Sequence, residues 1–252
     1  MSQPAATACT LHYVCCGVPF RIHAADRLQR AAVESVLPHL TTIVDSTPPH
    51  AETFALQSAS DLERIRTDLM IHVANHAPDL LFVHAGVVGW HGRALIFPGQ
   101  SFSGKTTLVA ELVKAGATYY SDEYAVIDEQ GLVHPFTRAL QMREPGGVEQ
   151  RSVSLADLTS GLGPDRNSVA GVEPIPVSTV VLTRFVAGAS WSPQEVTPAH
   201  AILEMLRHTI AVQRTPARAM RMLHTIMAGV AALQSPRGDA AATARILLQD
   251  AG

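Results

Sequence analysis

The chain has 252 residues, 47% of them hydrophobic, enough to bury one large core or two small ones. Its 19 Lys and Arg against 22 Asp and Glu leave a formal charge of -3 with the arginines scattered, which argues against a nucleic-acid partner. No apolar run reaches the roughly 20 residues a bilayer needs, and the first ten residues carry no Lys or Arg, so a cytoplasmic protein without secretory signal or membrane partner is expected.

Cys9, His12, Cys15 and Cys16 spell C-x-x-H-x-x-C-C, but the pattern from Thr10 to Ile22 reads as one or two strands. On a strand Cys9 and Cys15 face away from His12 and Cys16, so these are read as small buried side chains and not as metal ligands. Asp26 to Leu40 predicts a helix with Leu28, Ala31, Ala32, Val36 and Leu40 near one face. Ser60 and Glu63 form a capping-box signature ahead of Leu62, Ile65, Leu69 and Val73, which recur at helical spacing as far as Asn75.

Two apolar runs, LLFVHAGVV and RALIFPG, are joined by Trp90, His91 and Gly92 and predict a hairpin. Leu108 to Val113 continue as a helix that Gly116 can end in a left-handed conformation, and another strand begins at Ala117. YAVIDEQGLVHPF predicts a further hairpin turning at Glu129 to Gly131. From Glu144 to Pro176, Gly, Pro, Ser and Asp accumulate, and a mobile or substrate-dependent excursion is expected. PVSTVVLTRFV is an apolar strand; after Pro198 three helices follow, divided by Pro216 and by Ser235 to Gly238, the longest apolar one running from Met222 to Leu233. The units expected are a strand-and-helix layer at 1–78 and a larger domain at 79–252.

The chemistry concentrates in one stretch. Gly99-Gln100-Ser101-Phe102-Ser103-Gly104-Lys105-Thr106 fits G-x-x-x-x-G-K-[ST], between a credible buried strand and a credible helix. In such a loop the backbone N–H groups of Gly99, Ser101, Ser103, Gly104, Lys105, Thr106 and Thr107 converge on phosphate oxygens at a helix N-terminus. The amine of Lys105 would reach the terminal phosphates, and the hydroxyl of Thr106 would serve Mg2+. Asp122 and Glu123 follow at the end of a strand that can lie beside the loop strand; adjacent residues on a strand point to opposite faces, so one would serve the metal and the other accept a proton. His84 lies within the first apolar run, where a hydrogen-bonded core histidine and a catalytic one are both open readings.

Taken in order, FVHAGVVGW, FPGQSFSGKTT and YYSDEYAVID resemble the C-terminal kinase domain of HPr kinase/phosphorylase and its smaller relatives, including those of lasso-peptide clusters. The resemblance implies an α/β fold of the phosphoenolpyruvate-carboxykinase-like type, a P-loop mixed sheet here carrying an N-terminal strand/helix extension and C-terminal helices. It implies an ATP- and Mg2+-dependent kinase acting on a serine of a peptide or small protein, with a homo-oligomer allowed. Carried over, Asp122 matches the catalytic carboxylate, Glu123 its acidic neighbour and metal ligand, and His84 the histidine of the family's H-[GA] strand. The chain departs from the family's E-x-R-G-x-G segment: Gln141 stands where the glutamate is expected, and Glu144 is the nearest carboxylate that could replace it. Two other classes stay open, a nucleotide-dependent switch or ATPase and a catalytically silent nucleotide-binding module. The GTPase and transporter versions lack their motifs, since neither Asn75 nor Asn167 opens an N-K-x-D and no L-S-G-G-Q-like segment is present.

Overall fold

Alternation of apolar and polar residues decides the first elements. The computed structural model describes residues 9–24, 27–37, 40–58, 61–77, 79–143, 150–161 and 169–250. The chain divides into two units, Met1–Pro78 and Asp79–Gly252. In the first, β1 (Cys9–Cys15) and β2 (Val18–Ala24) form an antiparallel hairpin, followed by α1 (Arg27–Val36), β3 (Thr41–Val44), β4 (Glu52–Leu56) and α2 (Leu62–His76). The strand order is β3-β1-β2-β4, with only β4 parallel to its neighbour. Tyr13, Cys15, Phe20 and Ile22 are buried at every second position, and the rings of Tyr13 and Phe20 stack 5.5 Å apart.

Two expectations for this unit change. Among the described side chains of α1, Val33 is buried and Ala31 exposed, so the inward face takes in a residue that the expected stripe leaves out; the side chains of Leu28 and Val36 lie outside the described ones. The cap of α2 is Asp61, and its carboxylate turns back to accept from the N–H groups of Gln57 and Ser58 instead of bonding into the helix; Ser60 lies outside the described residues. Cys16 leaves the strand in a turn with φ +53°, and His12 Nδ1 sits 2.9 Å from the hydroxyl of Thr47.

The second unit is built on β5 (Leu80–Trp90), which is buried nearly throughout, as an interior strand must be. It pairs antiparallel with β6 (Arg93–Pro98) along one edge across the His91-Gly92 turn. On its other edge it pairs first with β8 (Tyr124–Asp128) and then with β7 (Thr118–Ser121). Between β6 and β7 runs α3 (Lys105–Lys114), which Gly116 closes at φ +112°. Gly86 lets α3 approach β5 closely, since a Cβ there would lie 2.6 Å from Val109 Cγ2.

The remaining elements are β9 (Leu132–His134), β10 (Leu140–Arg143), β11 (Gln150–Val153), α4 (Leu155–Thr159), β12 (Ile175–Phe185), β13 (Gln194–Glu195), α5 (Pro198–Arg207), α6 (Pro216–Ile226), β14 (Ala231–Arg237) and α7 (Ala240–Asp250). β12 runs parallel to both β6 and β14, and its first residues also pair with β9, so the path β12-β6-β5-β8-β9 closes on itself as a ring. One apolar cluster joins this sheet to α5 and α6; a second joins its other face to α3 and α7. The result is a mixed α/β fold with several sheets and seven helices among the described residues.

Three expectations are corrected here. The stretch from Met222 to Leu233 is not one helix: α6 ends at Ile226, Gly229 turns at φ +81°, and Ala231 opens a strand. Ser235 to Gly238 is therefore not a break between helices, because Ser235, Pro236 and Arg237 belong to β14. Pro236 is tolerated there because the pairing of β14 with β13 involves only Leu233 and Gln234. The Glu144 to Pro176 segment contains a described hairpin partner, β11, and a short helix capped by Ser154; residues 144–149 and 162–168 lie outside the described ones.

Candidate phosphate-binding site

The loop after β6 turns at once into α3, and its backbone carries the strain of that turn. Gly104 is the N-cap at φ +85°, a conformation that costs a side-chain-bearing residue about 1 to 2 kcal/mol, and Phe102 also has positive φ. Gly99 anchors the start by donating its N–H to the carbonyl of His84 on β5. A Cβ on Gly99 would stand 2.9 Å from Ser103 Oγ, so the cradle is shaped for backbone. Ser103 Oγ itself is buried without a hydrogen-bond partner. An orphaned buried hydroxyl just ahead of the start of α3 fits a phosphate oxygen. Ser101 and Thr107 have exposed side chains, so their share in such a cradle is through the backbone.

Lys105 is 9% exposed, and its amine donates to the carbonyls of Gly99 (2.9 Å) and Gln100 (2.7 Å). Burial pushes its pKa down to about 8, with Asp122 and Glu123 pulling the other way. Behind the loop lies Arg237 at the end of β14, 2% exposed. One of its Nη groups donates to the carbonyl of Gly104 (2.6 Å), its Nε is unpaired, and burial lowers its pKa. No sequence motif pointed to this residue; only the parallel pairing of β14 with β12 brings it here. Over the tip of the loop, the guanidinium of Arg143 stacks 3.7 Å from the ring centre of the exposed Phe102.

Facing the first turn of α3 is the corner between β7 and β8. Ser121 Oγ accepts from the N–H groups of Glu123 and Tyr124, which bends the chain at Asp122 and Glu123. Thr106 Oγ1 donates to Asp122 Oδ2 (3.1 Å), and the hydroxyl of Tyr119 donates to Asp122 Oδ1 (3.1 Å). Burial first and the Asp122 charge second raise the Tyr119 pKa well above its usual value, so the phenol stays a donor. Arg138 Nε lies 3.6 Å from Asp122 Oδ1 and 3.1 Å from Glu123 Oε2.

Both carboxylates thus meet one guanidinium. The opposite-face rule for adjacent strand residues does not apply, because the two occupy the bend beyond the strand. The strand carrying them also does not neighbour the loop strand: β5 separates β7 from β6. Thr106 reaches Asp122, while Glu123 is engaged by Arg138. His84, on β5 between the loop and the corner, is pushed down to about 4, by burial first and then by the Lys105 and His208 charges, with Asp122 opposing. It is neutral near neutral pH. Gln141 donates to Ser152 Oγ within the β10–β11 hairpin (3.3 Å), and Glu144 lies outside the described residues.

Thr106 and Asp122 offer hard oxygen donors of the kind Mg2+ prefers. Among the described residues no group of three or more His, Cys, Asp or Glu is arranged to hold a metal ion. A two-residue set fits Mg2+, which usually keeps waters and phosphate oxygens as its remaining ligands.

No family model matches the chain, and no curated protein matches it. Among solved structures, one described as the Hpr(Ser) kinase/phosphatase from Coxiella burnetii aligns at 14% identity with a TM-score of 0.30, covering 68% of this chain and 99% of that one. Among the described residues no helix is long and apolar enough to cross a membrane.

Proposed function

We propose that the chain is an ATP- and Mg2+-dependent phosphotransferase that moves the terminal phosphoryl group to a hydroxyl, foremost a serine of a peptide or small protein. The observation that carries this reading is the Thr106–Asp122 contact, which joins the first turn of a phosphate loop to a buried carboxylate. The resemblance of the Leu81 to Arg143 sequence to HPr-kinase-like domains, and the phosphoenolpyruvate-carboxykinase-like sheet it implies, belong to the same reading.

Bound nucleotide with Mg2+ would supply the reactive phosphorus and neutralise its charge. The loop backbone from Gly99 to Gly104 and the start of α3 would hold the phosphates, with Lys105 leaving its two loop carbonyls for the terminal phosphate. Thr106 and Asp122 Oδ2 would face the metal, and Glu123 would add charge nearby. A carboxylate accepts about four hydrogen bonds, so Asp122 retains capacity for an acceptor hydroxyl. As the acceptor oxygen bonds to phosphorus and the bond to the departing diphosphate breaks, the hydroxyl proton passes to Asp122. His84, neutral and acted on by the Lys105 charge, would contribute to the site through its ring nitrogens.

Transfer of labelled terminal phosphate to a serine-containing peptide panel tests this. Asp122→Asn is expected to bind nucleotide as the parent does and to lose about 10^2 to 10^4 in transfer rate. Lys105→Ala serves as the control that weakens both. Transfer by Asp122→Asn at the parental rate would overturn the role of Asp122, and label appearing only in free phosphate would favour an ATPase.

A further inference from the structure

The carboxylates of the Asp122 corner already have cations acting on them before any ligand arrives. Among the described residues, the guanidinium of Arg138 lies 3.6 Å from Asp122 and 3.1 Å from Glu123, and both carboxylates also act on the amine of Lys105. The side chains of Arg138, Asp122 and Glu123 are 11%, 1% and 14% exposed, so water and salt screen these charges weakly. A divalent cation entering such a corner meets the guanidinium at close range.

We propose that Arg138 is a built-in counter-cation that holds divalent metal off the Asp122–Glu123 corner until nucleotide phosphates bring their own negative charge. The inference rests on the reading that Thr106 and Asp122 face a divalent cation. It makes binding ordered: metal enters with the phosphates and not ahead of them, and Arg138 gives up its carboxylates when it does. Freed, the guanidinium remains beside the terminal phosphate, where positive charge favours transfer.

Arg138 is a positioning residue in this account, and its removal has an effect that loss of a merely structural contact does not: metal binding becomes tighter. Mn2+ is the probe, with free ion followed by electron paramagnetic resonance in the absence of nucleotide. Arg138→Gln removes one positive charge from beside the two carboxylates and is expected to bind Mn2+ about tenfold or more tightly than the parent. Arg138→Lys, which keeps the charge, is expected to stay within about threefold of the parent on the same argument. If the Gln variant does not fold, Arg138→Met, which keeps most of the aliphatic stem, carries the same expectation.

Mn2+ affinity that is unchanged or weaker after the charge is removed overturns the inference. A fluorescent ATP analogue, titrated in parallel on the parent, separates this failure from that of the function itself. Nucleotide binding and transfer with no gain in Mn2+ affinity would leave the phosphotransferase reading standing and remove the counter-cation. A gain in Mn2+ affinity in a protein whose parent binds no nucleotide would remove the phosphotransferase reading and the ordered entry of metal with it, and leave Arg138 as a counter-cation alone.

Discussion

The loop from Gly99 to Gly104 and the corner at Asp122 meet at Thr106, yet they are held by different means. The loop is made of backbone: a left-handed glycine and carbonyls that engage the Lys105 amine. The corner is made of side chains, with Thr106, Tyr119 and Arg138 converging on Asp122 from three elements or connections. The difference sets what each can withstand. Adding one carbon atom damages the loop, whereas the corner can lose one contact and keep the others.

The largest effect tests the loop side. Gly104→Val forces a β-branched residue into positive φ and against the guanidinium of Arg237, and is expected to cost about 2 to 3 kcal/mol in chemical unfolding and to abolish nucleotide binding. Wild-type stability in that variant would show that the turn does not depend on glycine.

Arg237→Met removes the one side-chain prop that reaches the loop from β14. A hydrogen bond from a charged donor contributes roughly 1.5 to 3 kcal/mol, and relief of the buried charge offsets part of it, so a loss of about 1.5 kcal/mol is expected. Nucleotide affinity is expected to fall about tenfold, measured by titration. An unchanged affinity would mean that the loop backbone is self-supporting.

His84 tests the strand between the two sides. Its folded pKa is lowered to about 4, so between the ordinary value near 6.5 and about 4 the unfolded chain takes up a proton that the folded chain refuses. The stability is present above about 6.5 and is lost as pH falls toward 4, by at most about 1.4 kcal/mol per pH unit and less because the ring is partly exposed. Unfolding midpoints across that range are expected to slope less in His84→Gln. Parallel slopes in the two proteins would place the proton uptake elsewhere.

The smallest effect tests the corner. Tyr119→Phe removes one of three groups on Asp122 and is expected to cost about 1 kcal/mol, with nucleotide binding unchanged. A collapse of binding would show that the corner is as brittle as the loop.

The loop was legible because everything it needs is contiguous: Gly99 to Thr106 is one run, flanked by an apolar strand and a helix. The β5–β6 and β8–β9 hairpins were legible for the same local reason, their turns carrying His91-Gly92 and Gly131. Arg138 and Arg237 were not, since neither lies in a motif. Arg237 meets Gly104 across 133 residues of sequence, and only sheet pairing makes them neighbours. β14 was hidden by composition: Ala231 to Arg237 contains no β-branched residue and includes a proline, so its strand state is imposed by β12 against local propensity. The bend at Asp122 turned on Ser121, whose hydroxyl takes two backbone N–H groups; a period-two reading continued through it and separated carboxylates that share a partner.

The position of Arg237 also bears on synthesis. A chain lengthening from its N-terminus completes the loop, α3 and the Asp122 corner long before β12 and β14 exist. Pairings that span so much sequence form slowly. The loop therefore spends its early life without its prop, and the site reaches its finished form only when the last strand of the sheet is laid down.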